Sequence, residues 1–186
     1  MKMIQKKIKS LIYAGLGLVL CVLLCGGIGM TAQAESDGYF TYKENESGIT
    51  ITGYVGDETE LVIPGKIDGK KVTDIGAHAF QNCSSLTSIT IPAGVKSIEM
   101  CAFYGCSSLT SITIPAGVKS IEDFVFDGCD SLTSIIVDKG NKYYDSRDNC
   151  NAIIETKSNK LIYGCKKTVI PKSVTKIGRA SCRERV

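Results

Sequence analysis

The chain has 186 residues, 44% of them hydrophobic, with 22 basic and 19 acidic side chains, one histidine and no tryptophan. That length supports one core-bearing domain and leaves little room for two. Four of the bases, Lys2, Lys6, Lys7 and Lys9, precede the first apolar run, and without them 18 bases face 19 acids. A near-neutral balance gives no electrostatic case for binding nucleic acid, which requires a clustered basic surface.

The first element in chain order is the apolar run LIYAGLGLVLCVLLCGGIGM, which leads to Ala32-Gln33-Ala34, a small-x-small pattern that a signal peptidase cuts. The expectation is a signal peptide over residues 1–34, with a mature chain that starts at Glu35. The alternative is an uncleaved anchor, because the run approaches the ~20 residues that span a bilayer. A lipid anchor is disfavoured, since Cys21 and Cys25 each follow a leucine where a small residue is usual. Residues 35–62 alternate as strands do but lack the text that follows, so they read as an N-terminal capping segment.

From Cys83 and again from Cys106 the chain reads CSSLTSITIPAGVKSIE, the same seventeen residues offset by 23. Self-similarity at such a period is the mark of a solenoid. Three units align: 63–90, 91–113 and 114–136, the first longer by five residues around Asp68-Gly69, a turn signal. Leu86-x-x-Ile89-x-Ile91, Leu109-x-x-Ile112-x-Ile114 and Leu132-x-x-Ile135-x-Val137 fit the core of a leucine-rich repeat, each ending in a short strand. Pro92 and Pro115 follow the strands, where a missing N–H does least harm. A second extended piece, Val95 to Ile98 or Val118 to Ile121, precedes a helical turn carrying Ala102, Phe103 and Cys106. One unit cannot bury its own apolar face, so Phe80, Phe103 and Phe126 should stack in one internal column. The expected fold is therefore a leucine-rich repeat solenoid, β-rich with short helical turns, whose 23-residue repeats stack into a continuous parallel sheet.

After Val137 the text loosens into an elaborated unit, 137–168, with a hairpin of Ala152 to Thr156 and Lys160 to Gly164 around Ser158-Asn159. The register returns at 169–178, the start of a further unit. The last residues, 179–186, RASCRERV, resemble the translated read-through of a sequencing adapter; the expectation is a non-native tail on a coding sequence that continues, the alternative a short basic tail.

AF-x-x-CSSLTSITIPAGVKSIE together with YYDSRDNCNAIIETKSNKLIYGCKKTVIPKSVTKIG resembles the BspA-like class of bacterial leucine-rich repeat surface proteins, over roughly Ile63 to Gly178. The resemblance implies an exported protein of the cell surface or medium, with adhesion to host matrix proteins or other cells as the role of some members. Gly94 and Gly117 stand where an asparagine ladder is common, which leaves the geometry of that corner open.

Seven cysteines lie after residue 34. Cys83, Cys106 and Cys129 share one column and read as small buried hydrophobes, with an adjacent disulfide as the alternative. Cys150 and Cys165 flank the hairpin and are the better candidate pair. His78 shares a tolerant column with Cys101 and Phe124, which suggests a partly exposed packing position. No nucleophile, base and orienting acid stand at a recognisable spacing, so no enzyme activity, cofactor or metal is expected. Asp145, Asp148, Asn149 and Asn151 match no calcium loop in spacing and read as a turn-rich segment.

The outward positions of the repeated strands are Thr87, Ser88 and Thr90, then Thr110, Ser111 and Thr113, then Thr133, Ser134 and Ile136. This hydroxyl array is the candidate binding face, since solenoids bind through many equivalent contacts. The reading is an exported, non-catalytic protein-binding or adhesion module whose partner is an extracellular protein or a host or cell-surface ligand, with no nucleic acid. Contact with membrane would come only through the leader or an anchor further on. The alternative is an inert structural spacer within a larger surface protein.

Overall fold

A computed structural model describes Glu35–Ser36 and residues 39–178 of the chain. The expected leader over 1–34 and tail over 179–186 lie outside the described residues. The strands are β1 (Glu35–Ser36), β2 (Phe40–Asn45), β3 (Gly48–Tyr54), β4 (Glu60–Val62), β5 (Lys66–Ile67), β6 (Lys70–Ile75), β7 (Ser88–Thr90) and β8 (Ser97–Ile98). They continue as β9 (Ser111–Ile114), β10 (Ser120–Ile121), β11 (Ser134–Val137), β12 (Tyr144–Asp145), β13 (Ala152–Glu155), β14 (Lys160–Gly164) and β15 (Lys176–Ile177). The chain is a β-solenoid, and each regular turn has three sides.

The first side is the parallel sheet β11-β9-β7-β4, in which Ser88 faces Ser111 and Ser111 faces Ser134. Period-two alternation turns Leu61, Ile89, Ile112 and Ile135 inward, and all four are buried. The chain then turns at proline: Val95 N–H donates to Pro92 O at 3.1 Å and Val118 N–H to Pro115 O at 3.2 Å. A Cβ on Gly117 would stand 2.5 Å from Ala93 O and one on Gly94 3.0 Å from Val72 O. Glycine at this corner thus lets successive turns approach backbone to backbone, where an asparagine side chain would not fit.

The second side is built from β3, β6, β8 and β10, all parallel, with β1 and β2 closing its N-terminal end antiparallel. The five extra residues of the first unit form the small hairpin β5–β6, whose tip residues Asp68 and Gly69 both have positive φ.

The third side answers to the expected helical turn, and its geometry is a string of i→i−3 turns in place of a helix. Ala79 N–H donates to Gly76 O, Gln81 to His78 O and Cys83 to Phe80 O. His78 and Asn82 both adopt positive φ, as do Cys101 and Gly105, then Phe124 and Gly128, which stops any helix from propagating. The freed donors go to the next turn instead: Phe80 N–H bonds Ala102 O at 2.8 Å and Phe103 N–H bonds Val125 O at 3.0 Å.

Inside, Phe80 stacks on Phe103 at 5.2 Å between centroids and Phe103 on Phe126 at 5.7 Å, with planes 15° and 1° apart. Tyr54 closes one end of this column at 5.7 Å and Tyr163 the other, edge-on, at 5.3 Å. The thiols of Cys106 and Cys129 donate to Phe80 O and Phe103 O of the preceding turns, so the cysteine column packs as free thiols. The expected hairpin is β13–β14, antiparallel, turning where Asn159 has positive φ. Cys150 and Cys165 are not bonded. Alternation sends them to opposite faces: Cys150 packs with Ala152, Ile154 and Leu161, and Cys165 with the main core beside Ile153 and Tyr163.

Candidate functional site

The β11-β9-β7-β4 sheet shows its outward side chains in two straight rows. Pairing places Glu60, Ser88, Ser111 and Ser134 in one, and Val62, Thr90, Thr113 and Ile136 in the other. Val62 is 70% exposed and Ile136 51%, so apolar β-branched side chains extend the threonine row at both ends. Residues 84–95, 107–118 and 131–137 contain no charged side chain. Apart from Glu60 at its N-terminal edge, the face is uncharged and lined by methyls and hydroxyls.

The candidate residues divide by role. Thr87 Oγ1 donates to Thr59 O at 2.8 Å, Thr110 Oγ1 to Thr87 O at 3.1 Å and Thr133 Oγ1 to Thr110 O at 3.4 Å. Each of these threonines is tied to the preceding turn, so this column holds the stack together. Ser88, Thr90, Ser111, Thr113 and Ser134 stand in the two outward rows. Sequence reasoning did not place Val62 in the array, because the longer first unit hides its alignment with Thr90; the Ile63-Pro64 that follows it was the available signal.

At its C-terminal end the face runs into a groove of about 720 Å³ whose lining includes Thr113, Ile136, Asp138, Lys139, Arg147 and Asn149. The groove exists because the elaborated unit raises residues 138–151 beside β11. Most of its polar groups are committed. Arg147 donates through Nε and Nη2 to the two carboxylate oxygens of Asp145, and through Nη1 to Asn159 Oδ1 at 2.8 Å. Burial would raise the Asp145 carboxyl, but the bonds and charge of Arg147, with Thr156 Oγ1, hold it below its ordinary range. Asn141 Nδ2 donates to Pro115 O and Val118 O while its Oδ1 accepts the Tyr143 and Tyr144 N–H groups. The Asp145, Asp148, Asn149 and Asn151 segment is therefore a turn held by a guanidinium, and that guanidinium takes the place next to Asp145 that a cation would need.

His78 is exposed, Cys101 half-buried and Phe124 exposed, and all three adopt positive φ between 55 and 61°. Burial, then the charge of Asp127, push the Cys101 thiol up. Among the described residues no group of three or more His, Cys, Asp or Glu side chains could hold a metal ion.

A parallel β-solenoid of about 23-residue turns whose apolar columns repeat from turn to turn defines a leucine-rich repeat protein. More particularly, the chain matches the BspA type leucine-rich repeat region over residues 61–184, in six copies, and it belongs to that family. A leucine-rich repeat protein from Bacteroides ovatus ATCC 8483 is similar at 28% identity and TM-score 0.50, over 75% of this chain and 36% of that one. A leucine rich cell surface protein from Faecalibacterium prausnitzii A2-165 aligns at 20% identity and TM-score 0.41, over 78% of this chain and 72% of that one. The T. pallidum leucine rich repeat protein aligns at 22% identity and TM-score 0.38, over 81% and 84%. No curated protein matches the chain significantly.

Proposed function

We propose that the protein is exported to the bacterial cell surface or medium and acts there without catalysis, binding another protein through the Ser88–Ser111–Ser134 and Thr90–Thr113 rows. The observation that carries this reading is the absence of charge over three successive outward strands whose side chains stand in register. Such a face offers many equivalent weak contacts along a rigid line and suits an extended or flat partner. The apolar leader and the family support export, and the family supports binding. A host matrix protein or another cell surface is the partner class. Binding to a panel of immobilised matrix proteins and whole cells tests the reading, with Thr90→Lys/Thr113→Lys as the probe. These substitutions touch no internal hydrogen bond, so the fold should hold while binding falls by about tenfold or more. Unchanged affinity removes the face from consideration.

A spacer role is the second reading, favoured by one observation: Thr87, Thr110 and Thr133 use their hydroxyls to tie turns together. Absence of binding to every ligand in the panel, with a sharply melting chain, selects it.

A further inference from the structure

Charge is sorted by side around the solenoid. The outward strands β7, β9 and β11 carry none, and the turn segments 77–85, 100–108 and 123–131 carry only Asp123, Asp127 and Asp130 as charged residues other than the lone His78. Lysines gather at the corner between the proline turn and the second sheet. Lys96 and Lys119 are equivalent residues of consecutive turns, joined by the Lys119 N–H donating to Lys96 O at 2.8 Å. Lys142 follows at the same interval of 23 residues, and its neighbour Asn141 reaches Val118 O at 3.0 Å, which keeps it at the next level of the stack. All three lysines are exposed. Neighbouring strands lie about 4.8 Å apart, so these are like charges stacked at close to that rise.

No internal counter-charge answers them: the ion pairs among the described residues are Lys70–Glu44 and Arg147–Asp145. Glu99 and Glu122 stand at the other end of the second side, where they accept the Ala77 and Met100 N–H groups, and Asp138 accepts the Gly140 N–H. Like charges directly opposite on adjacent strands weaken a sheet. The row therefore contributes nothing to the fold, and an external anion would relieve it.

We infer that Lys96, Lys119 and Lys142 form a binding strip for a linear acidic polysaccharide. Cations that recur at a fixed rise along a rigid line suit a polymer whose carboxylates or sulfates recur along an extended chain, whereas the acids on a folded protein surface have no such period. Lysine acts as a point charge and needs no bidentate partner geometry. Ser97 and Ser120, next to the lysines, add hydroxyls for sugar oxygens. Single-stranded nucleic acid would need successive aromatic platforms. Residues 92–99 and 115–122 hold none, and Tyr143 at the end of the row is a single ring. The strip is on a different side from the proposed protein-binding face and is tested independently of it.

The test is calorimetric titration of the full chain with a heparin decasaccharide. Binding is expected at about 50 mM salt and should weaken at least tenfold by about 200 mM. Lys96→Glu/Lys119→Glu/Lys142→Glu should lose about tenfold or more in affinity, while Lys157→Glu/Lys166→Glu/Lys167→Glu, the same charge change elsewhere, stays within about twofold. Melting curves check that both variants fold; if the first does not, Lys119→Ala replaces it, with a loss of about threefold expected. Absence of binding, equal losses in both variants, an unchanged Lys119→Ala, or duplex DNA binding as tightly as heparin would each overturn the assignment.

Discussion

Phe103 shows what a single repeated residue does here. It is fully buried between Phe80 and Phe126, and both flanking rings are fixed by their own turns. Neither can move to fill the space it leaves, so Phe103→Ala is expected to lower the unfolding free energy by about 3–5 kcal/mol in a urea titration. Asp145 gives a pH signature. Its carboxyl is held below its ordinary 3.8 because the bonds and charge of Arg147 outweigh burial. A group whose folded pKa is depressed stabilises the fold above its unfolded value and loses that contribution as pH falls through the folded one. Acid denaturation of Asp145→Asn should therefore show a shallower pH dependence than the parent below about pH 4; identical curves would mean that Arg147 contributes no net stabilisation. At this scale the sequence was legible wherever the repeat wrote the same residue twice, as in the phenylalanine and cysteine columns. It was not legible in the threonine column, because a hydroxyl that faces solvent and one that bonds the preceding turn look identical in text.

At the scale of elements, the hairpin β13–β14 joins the array through Ile153 and Cys165 in the main core and through the hydrogen bonds of Tyr163. Tyr163 accepts the Val125 N–H at 2.9 Å and donates to Glu122 O at 2.7 Å, while its ring meets Phe126 edge-on. Burial pushes its phenol well above the ordinary 10.0, so it remains a neutral donor and acceptor. Tyr163→Phe keeps the ring contact and leaves the buried Val125 N–H without a partner. The expected loss is about 1–3 kcal/mol, measured by thermal or urea unfolding, and a loss near zero would place water at that site. The existence and turn of this hairpin were readable from its apolar runs and Ser158-Asn159. Its attachment was not, because Tyr163 and Val125 are 38 residues apart and no local pattern links them. The cysteine pair failed for a related reason: flanking a hairpin brings two residues near in sequence terms, but alternation decides the face each one takes.

Taken whole, the molecule is nearly one-dimensional, each turn touching only its neighbours. Protection should then be greatest where both neighbours are present. Amide hydrogen exchange is expected to be slowest over β7, β9 and β11 and fastest toward residue 178, where Val169 is 70% and Ile177 59% exposed. Uniform protection along the chain would mean that the stack opens only as a unit. Charge also makes sense only at this scale. A near-neutral total argued against nucleic acid as a partner, yet the winding of the chain brings Lys96, Lys119 and Lys142 to one corner and leaves β7, β9 and β11 uncharged.

The amino-acid sequence by itself determined the period, the family, the core columns and the outward strand positions, because identical environments in successive turns demand identical residues. Only the tertiary structure decided which threonines bond the preceding turn, that left-handed residues replace the helical turn, which cysteines face apart, and at which corner the 23-residue series Lys96, Lys119 and Lys142 stands. Those outcomes depend on contacts between turns, where direction and register in space matter and sequence spacing alone is silent.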